Sequence, residues 1–192
     1  MKIMVEFIKK NSKIEKIIIP RNGYIPNNEI YPVIIYRKIF AGSSLRLAKF
    51  IEKTITGNKW PNMWRSCIYS FHHYHSKTFE FVGCYSGSAK LQLGGEGGLI
   101  AEVNIGDAVV IPPGVAHKQI SSMDNFMLVG GYPYGDYPDM MYCKKNEYET
   151  ALKNIAKAFV ANHDPVLGEK FRELLSKKDA KFYKFENNKR ED

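Results

Sequence analysis

The stretch HHYHSKTFE, residues 72–80, holds three of the chain's five histidines within four positions and closes on a glutamate. Imidazole nitrogens and a carboxylate oxygen are donors suited to borderline divalent ions, so spacing decides whether they can share one. In an extended strand successive side chains alternate, which puts His73 and His75 on one face and His72 and Tyr74 on the other. In a helix His72 and His75 would be the neighbouring pair instead. Residues 68–71 (IYSF) and 79–85 (FEFVGCY) are rich in β-branched and aromatic types and carry no helical stripe, so strand geometry is expected. Pairing residues 73–75 with 80–82 as an antiparallel hairpin would set Glu80 opposite or diagonal to His75.

A carboxylate beside two imidazoles in an apolar interior is costly unless something offsets its charge, and a divalent cation does so. A further donor must come from elsewhere on the wall. His117 is the remaining histidine of the strand-rich centre, at the end of GDAVVIPPGVAH. His163 sits beside Pro165 in a turn and reads as a loop histidine. Cys84 shares the face expected for Glu80, but four residues further on it lies roughly 13 Å away along a strand, too deep for a shared ion. The candidate ligand set is therefore His73, His75, Glu80 and His117.

The elements that must position these donors follow from the pattern of apolar residues and turns. Residues 14–19 and 30–36 read as strands. A helix is expected from Ser43 or Ser44 to Gly57, with Leu47, Phe50, Ile51 and Ile55 on one face. The centre is a series of short strands at about 65–75, 79–86, 88–93, 99–104, 107–111, 115–121 and 126–132, punctuated by Gly87, GGEGG, Gly106 and PPG. Closely set strands with Gly/Pro turns indicate a barrel or sandwich rather than βαβ units. Helices are expected at 146–160 and 168–176. GGEGG lies between strands, with no Lys-Ser/Thr and no helix after it, so it is a hairpin turn and not a phosphate cradle.

Composition narrows the function classes. The three cysteines, Cys67, Cys84 and Cys143, form no C-x-x-C, which argues against a disulfide framework or a cysteine-zinc site; all three are expected to be small buried hydrophobes. The net charge of +8 divides as +8 over residues 1–60, −3 over 61–150 and +3 over 151–192. Basic charge thus avoids the histidine-rich centre, and no recognition-helix or RNP-type motif accompanies it, so nucleic acid is not the expected partner. No window reaches the apolar length of a membrane span, and lysines interrupt the N-terminal apolar runs, so a cytoplasmic protein is expected.

At this point the residues resemble a family. HYHSKTFEFVGCYSG (73–87) fits the first cupin motif, H-x-H-x(3,4)-E-x(6)-G, and GDAVVIPPGVAH (106–117) fits the second, G-x(5)-P-x-G-x(2)-H. Cys67 stands where the first motif usually opens with glycine, and Ser121 where the second usually ends in asparagine. WRSCIYSFHHYHS (64–76), LQLGGEGG (91–98), VVIPPGVAHK (109–118), GYP (131–133) and DPVLG (164–168) are similar to the YjlB-type cupins, a small bacterial group of unsettled function. Phe79 replaces a histidine that many such relatives carry just before the motif glutamate.

The resemblance implies a mainly β fold, a cupin barrel (a jelly-roll-like double-stranded β-helix) with an N-terminal strand/helix extension and C-terminal helices. One domain over 1–192 is expected, with a barrel core at about 64–133 and flanks 1–63 and 134–192. It implies one divalent transition metal (Fe, Mn, Ni or Zn) held by His73, His75, Glu80 and His117, with open coordination positions. The expected function is an enzyme acting on a small polar molecule by dioxygenase-, isomerase- or hydrolase-like chemistry; the alternative is a non-catalytic metal or small-molecule binding protein. Tyr69, Phe71, Gln92 and Met127 are candidate pocket residues, the segment 132–137 is a candidate lid, and a homodimer is a candidate assembly.

Overall fold

The computed structural model describes residues 12–42, 44–135 and 137–185. Among these, the regular elements are β1 (Lys13–Ile19), β2 (Asn28–Arg37), α1 (Ser44–Gly57), β3 (Asn62–Ser66), β4 (Glu80–Leu93), β5 (Leu99–Asn104), β6 (Ala108–Ile111), β7 (His117–Tyr132), α2 (Tyr148–Ile155), α3 (Phe171–Leu174) and β8 (Lys181–Phe182). Ser43, one of the two expected helix starts, lies outside the described residues.

The strands join one sheet in the order β3-β7-β4-β6-β2-β1-β8, with β5 added to β4. β4 is the hub. Its first residues pair with β6 on one side and β7 on the other, and its last six pair with β5 and β7. Long antiparallel strands shared between two ends of one curved sheet make this a cupin, or double-stranded β-helix, fold.

Alternation along the strands sorts the apolar residues into two layers. Val33 and Ile35 of β2, Val82 and Cys84 of β4, Val109 and Ile111 of β6, and Phe126 and Leu128 of β7 fill the interior. The residues between them face outward: Ile34, Tyr36, Phe81, Val110 and Val129 pack against Leu47, Ile51 and Ile55 of α1 and against Trp60 and Phe171. The helix thus buries its apolar stripe on the outside of the barrel. That packing leaves the inner face free to carry a site.

Several expected boundaries shift for identifiable reasons. The strands expected at 79–86 and 88–93 are one strand, as are those at 115–121 and 126–132, because Gly87 forms a bulge and not a turn. Gly87 adopts φ +63°, and a Cβ there would lie 2.3 Å from the Met123 carbonyl oxygen, so the kink requires glycine. The expected helix 146–160 shortens to α2 after a 3₁₀ turn at Lys145–Glu147, and that at 168–176 shortens to α3. GGEGG is the expected hairpin turn, joining β4 and β5 at Leu93 and Leu99.

The expected hairpin between 73–75 and 80–82 does not form. β4 is paired on both edges from its start, Glu80 and Phe81 to Ile111 and Val110 on β6 and Phe81 to Gly131 on β7. With no free edge, the histidine segment crosses the barrel end to the PPG turn and the start of β7. His73 exchanges both backbone hydrogen bonds with His117 (3.2 and 2.9 Å), and the Gly114 amide donates to the His75 carbonyl at 2.8 Å. No helix among the described residues is long and apolar enough to cross a membrane.

Candidate metal centre

The backbone pairing of His73 with His117 brings two imidazoles together directly, with ring centroids 4.2 Å apart. His75, two residues on, falls on the same side as alternation requires, its ring 5.8 Å from that of His117. One ligand atom from each of His73, His75 and His117 lies within 4.8 Å of the other two, and all three residues are buried. Glu80 enters from the first position of β4: its Oε2 lies 3.1 Å from His117 Nε2 and 3.6 Å from His75 Nε2. His72 turns the other way, its Nε2 3.2 Å from the Gln92 amide oxygen and 3.2 Å from Glu96.

Each of the three imidazoles is oriented by a backbone carbonyl. Nδ1 of His73 faces the Phe71 oxygen at 3.2 Å, Nδ1 of His117 faces the Val115 oxygen at 3.0 Å, and Nδ1 of His75 faces the Asp139 oxygen. A carbonyl oxygen can only accept, so Nδ1 carries a proton in each ring, and each ring when neutral turns its Nε2 lone pair to the interior. Metal-binding histidines are ordinarily held by such outer contacts.

Two buried atoms at the centre of this group lack a hydrogen-bond partner, Glu80 Oε2 and His117 Nε2. They are close, at 3.1 Å, but not aligned as donor and acceptor. Buried polar atoms are normally satisfied, and an unsatisfied carboxylate oxygen beside an unsatisfied imidazole nitrogen is the arrangement a cation completes. The donor chemistry fits a divalent ion.

Electrostatics without an ion point the same way. Burial would raise the Glu80 pKa, but the charge of His75 overcomes it and holds the carboxyl well below its ordinary range. Burial would lower the His75 pKa, yet Glu80 raises it. Burial, reinforced by His117, pulls His73 down to about 3, so that ring is neutral and ready to donate its lone pair. A divalent ion binding here would displace any proton on His75 Nε2, which lies 3.6 Å from Glu80 Oε2.

Four further residues, Tyr132, Trp64, Asp139 and Asn154, support the site. The Tyr132 hydroxyl, at the end of β7, donates to Glu80 Oε1 at 2.8 Å. Burial first, and the Glu80 charge next, push its pKa far up, so it remains a donor. Trp64 on β3 covers Gly130, where an added Cβ would come within 1.9 Å of the indole, so glycine is what makes room for the ring. Asp139 ties the 138–141 segment to the ligand segment. Its Oδ1 accepts from the Ser76 amide at 2.7 Å and the Lys77 amide at 3.2 Å, and its other oxygen accepts from the Ser76 hydroxyl. Asn154 of α2 donates to that same hydroxyl oxygen at 2.8 Å, which buttresses the site from the C-terminal side.

Above the histidines lies a cavity of about 420 Å³, lined among others by Met63, Trp64, Ile68, Tyr69, Pro138 and Met140. Of the four expected pocket residues, Tyr69 lines it and Phe71, Gln92 and Met127 do not. The Gly87 bulge inverts the phase of β4, so Leu91 and Leu93 point inward and Gln92 outward to His72. Met127 falls between the inward Phe126 and Leu128 and packs on the outer layer. Residues 67–72 are not a strand, and Phe71 lies outside the cavity wall, 44 % exposed and stacked on Tyr69. In the expected lid segment Tyr132 is buried inside and Tyr137 is 85 % exposed, whereas Pro138 to Met140 border the cavity. Asp136 lies outside the described residues. Cys67 corrects the expectation of a buried thiol: it is exposed and lines the cavity, while Cys84 is buried. His163 is an exposed loop residue whose carbonyl accepts from Trp60 Nε1 at 3.0 Å.

Tyr132 was reachable from the sequence by counting inward positions onward from Leu128. Asp139 was not, since nothing local signals a contact with a residue 63 positions away.

The chain is 38% identical over 151 residues to the uncharacterised protein YjlB of Bacillus subtilis (strain 168), a match covering 79% of this chain and 88% of that protein. No protein-family model matches the chain. Among solved structures, it is similar to a double mutant of the QdtA 3,4-ketoisomerase of Thermoanaerobacterium thermosaccharolyticum in complex with TDP, with 20% identity, 49% of this chain and 74% of that chain covered, and a TM-score of 0.38. It is also similar to acireductone dioxygenase of Bacillus anthracis, with a cadmium ion in the active centre, at 14% identity, 50% of this chain and 64% of that chain covered, and a TM-score of 0.37. Likenesses of this size do not speak to the chemistry of the site.

Proposed function

The chain belongs to the YjlB family, and from that premise we propose that it is a divalent-metal protein that acts as an enzyme on a small molecule. His73, His75 and His117 would hold the ion through Nε2 and Glu80 through Oε2. What carries this reading is that all three Nδ1 atoms are engaged by backbone carbonyls, leaving Nε2 lone pairs gathered beside a buried carboxylate oxygen without a partner. Three imidazoles and one carboxylate suit Fe, Mn, Ni or Zn, and such an ion supplies Lewis-acid or redox chemistry to a chelated substrate.

The chain's own residues have definite parts. Tyr132 holds Glu80 Oε1 and so directs Oε2 to the ion. The Asp139 segment holds His75 and borders the cavity. The apolar wall above the histidines excludes water from whatever binds there, which strengthens every polar contact inside. An open side facing a cavity favours catalysis over a purely structural ion, which protein ligands ordinarily saturate.

Elemental analysis of protein purified without added metal should find about one divalent ion per chain. His73→Ala and His117→Ala should each lose most of it, and full occupancy in both would refute the assignment. Oxygen consumption and substrate loss over a panel of small acids, thiols and diketones, with each metal loaded in turn, then tests catalysis. Silence throughout, with metal bound, would leave the protein a non-catalytic binder.

A further inference from the structure

The chain carries a net charge of +8, yet among the described residues lining the cavity none is Lys or Arg. The charged groups that do line it, apart from the histidines, are the carboxylates Glu80 and Asp139. Two basic side chains that adjoin the wall are committed elsewhere, and Lys144 sits farther out, its Nζ 5.5 Å over the Tyr142 ring. Arg65, the neighbour of Trp64 on β3, points to Glu52, with contacts of 2.5 and 2.7 Å. Lys118, next to His117, reaches Glu96 at 2.7 Å. A phosphate, a pyrophosphate or a multiply charged acid would find no counter-charge in this wall beyond the ion itself.

A row of aromatic rings runs outward from the cavity, and of its three rings Tyr69 lines the wall. The Tyr69 ring lies edge-on to His73 at 5.2 Å between centroids and stacks on Phe71 at 4.9 Å, which stacks in turn on Tyr142 at 6.0 Å. These rings are 54 %, 44 % and 49 % exposed, so an aromatic row starting beside a ligand imidazole is left half uncovered by the protein. Exposed aromatic surface grouped in this way marks a place where something else binds. Trp64, Met63 and Met140 extend the apolar lining around it.

We propose that this cavity selects a small chelating molecule with a planar, ring-sized apolar body and no more than one negative charge, the body lying against Tyr69 and the chelating oxygens facing the histidines. This rests on the metal centre proposed above. Specificity then comes from the wall: the histidines and Glu80 supply one anchoring point common to many ligands, and Tyr69 and Trp64 discriminate among what is attached to it.

Three probes separate head from body: acetohydroxamate, benzohydroxamate and thymidine 5′-diphosphate. The first two share a chelating head and differ in the ring. Protein loaded with Co²⁺ is first checked for its visible absorption band, and each probe is then titrated against that band and against tryptophan fluorescence. Benzohydroxamate should bind at least about tenfold tighter than acetohydroxamate, the order expected for burying a ring-sized apolar group. Thymidine 5′-diphosphate should bind more weakly than either. Tyr69→Ala should collapse the difference between the two hydroxamates while leaving the cobalt band unchanged. Equal affinities for the two hydroxamates, tightest binding of the diphosphate, or an unaltered ratio in Tyr69→Ala would each overturn the inference and leave the metal centre standing. Absence of a cobalt band before any probe is added would overturn the metal centre and the inference with it.

Discussion

Replacing Tyr132 with Phe removes a single hydroxyl and leaves the ring; the hydroxyl bonds both Glu80 and the Trp64 side chain, so a cycle with Glu80→Gln isolates the contact to Glu80. Both partners are shielded from bulk solvent, Glu80 at 4 % and Tyr132 at 7 % exposure. The bond is 2.8 Å long and its acceptor is a carboxylate held ionised by His75. A buried hydrogen bond to a charged group is worth about 1.5–3 kcal/mol, and a neutral one about 0.5–1.5 kcal/mol. Tyr132→Phe should therefore destabilise the metal-free protein by about 1.5–3 kcal/mol in the wild-type background, but by only about 0.5–1.5 kcal/mol when Glu80→Gln is already present. The difference, about 1 kcal/mol or more, is the coupling that a double-mutant cycle reads directly. The assay is urea unfolding of chelator-treated protein, all four variants at one neutral pH. Equal losses in the two backgrounds would refute the reasoning, because the hydroxyl would then be acting on something other than the Glu80 charge.

Two further outcomes are expected. Asp139→Ala releases the 138–141 segment from the Ser76 and Lys77 amides and so loosens the carbonyl that orients His75; metal affinity should fall about 10- to 100-fold, and an unchanged affinity in a direct metal titration would exclude this positioning role. Asp164 is fully buried, and burial raises its pKa although Tyr36, Leu167 and Val166 donate to it. A raised native pKa means its contribution is fully present below the unfolded value of about 3.9 and is lost as pH rises through the native one. Asp164→Asn removes that titration and keeps an acceptor for the two amides, so its urea midpoint relative to wild type should rise as pH climbs above the unfolded value of about 3.9. A difference that stays flat or runs the other way would contradict the assignment.

The site was legible in the sequence to the extent that it depends on local geometry. Alternation in an extended chain separates His72 from His73 and His75 whatever the strand pairs with, and in the fold His72 faces Gln92 while the other two face His117. Spacing likewise grouped Glu80 and His117 with them. The pairing expected to achieve this was the wrong one. Strand propensity does not say which edge is free, and β4 has both edges occupied from Glu80 onward, which sends the histidine segment across to β7.

Gln92 and Met127 show where period-two reasoning stops. An odd register shift reverses every later side chain, and the irregularity between Cys84 and Ser88 is visible only once β4 and β7 are laid against each other. Tyr132 and Asp139 reach the site by tertiary contact across 52 and 63 positions.

By itself, then, the sequence determined the donors and their face, because residue type and the pleat of a strand are local properties. Only the tertiary structure decided the Asp139 carbonyl that orients His75, the support of Glu80 by Tyr132, and a cavity wall without Lys or Arg among the described residues, because each depends on which distant part of the chain arrives beside the histidines.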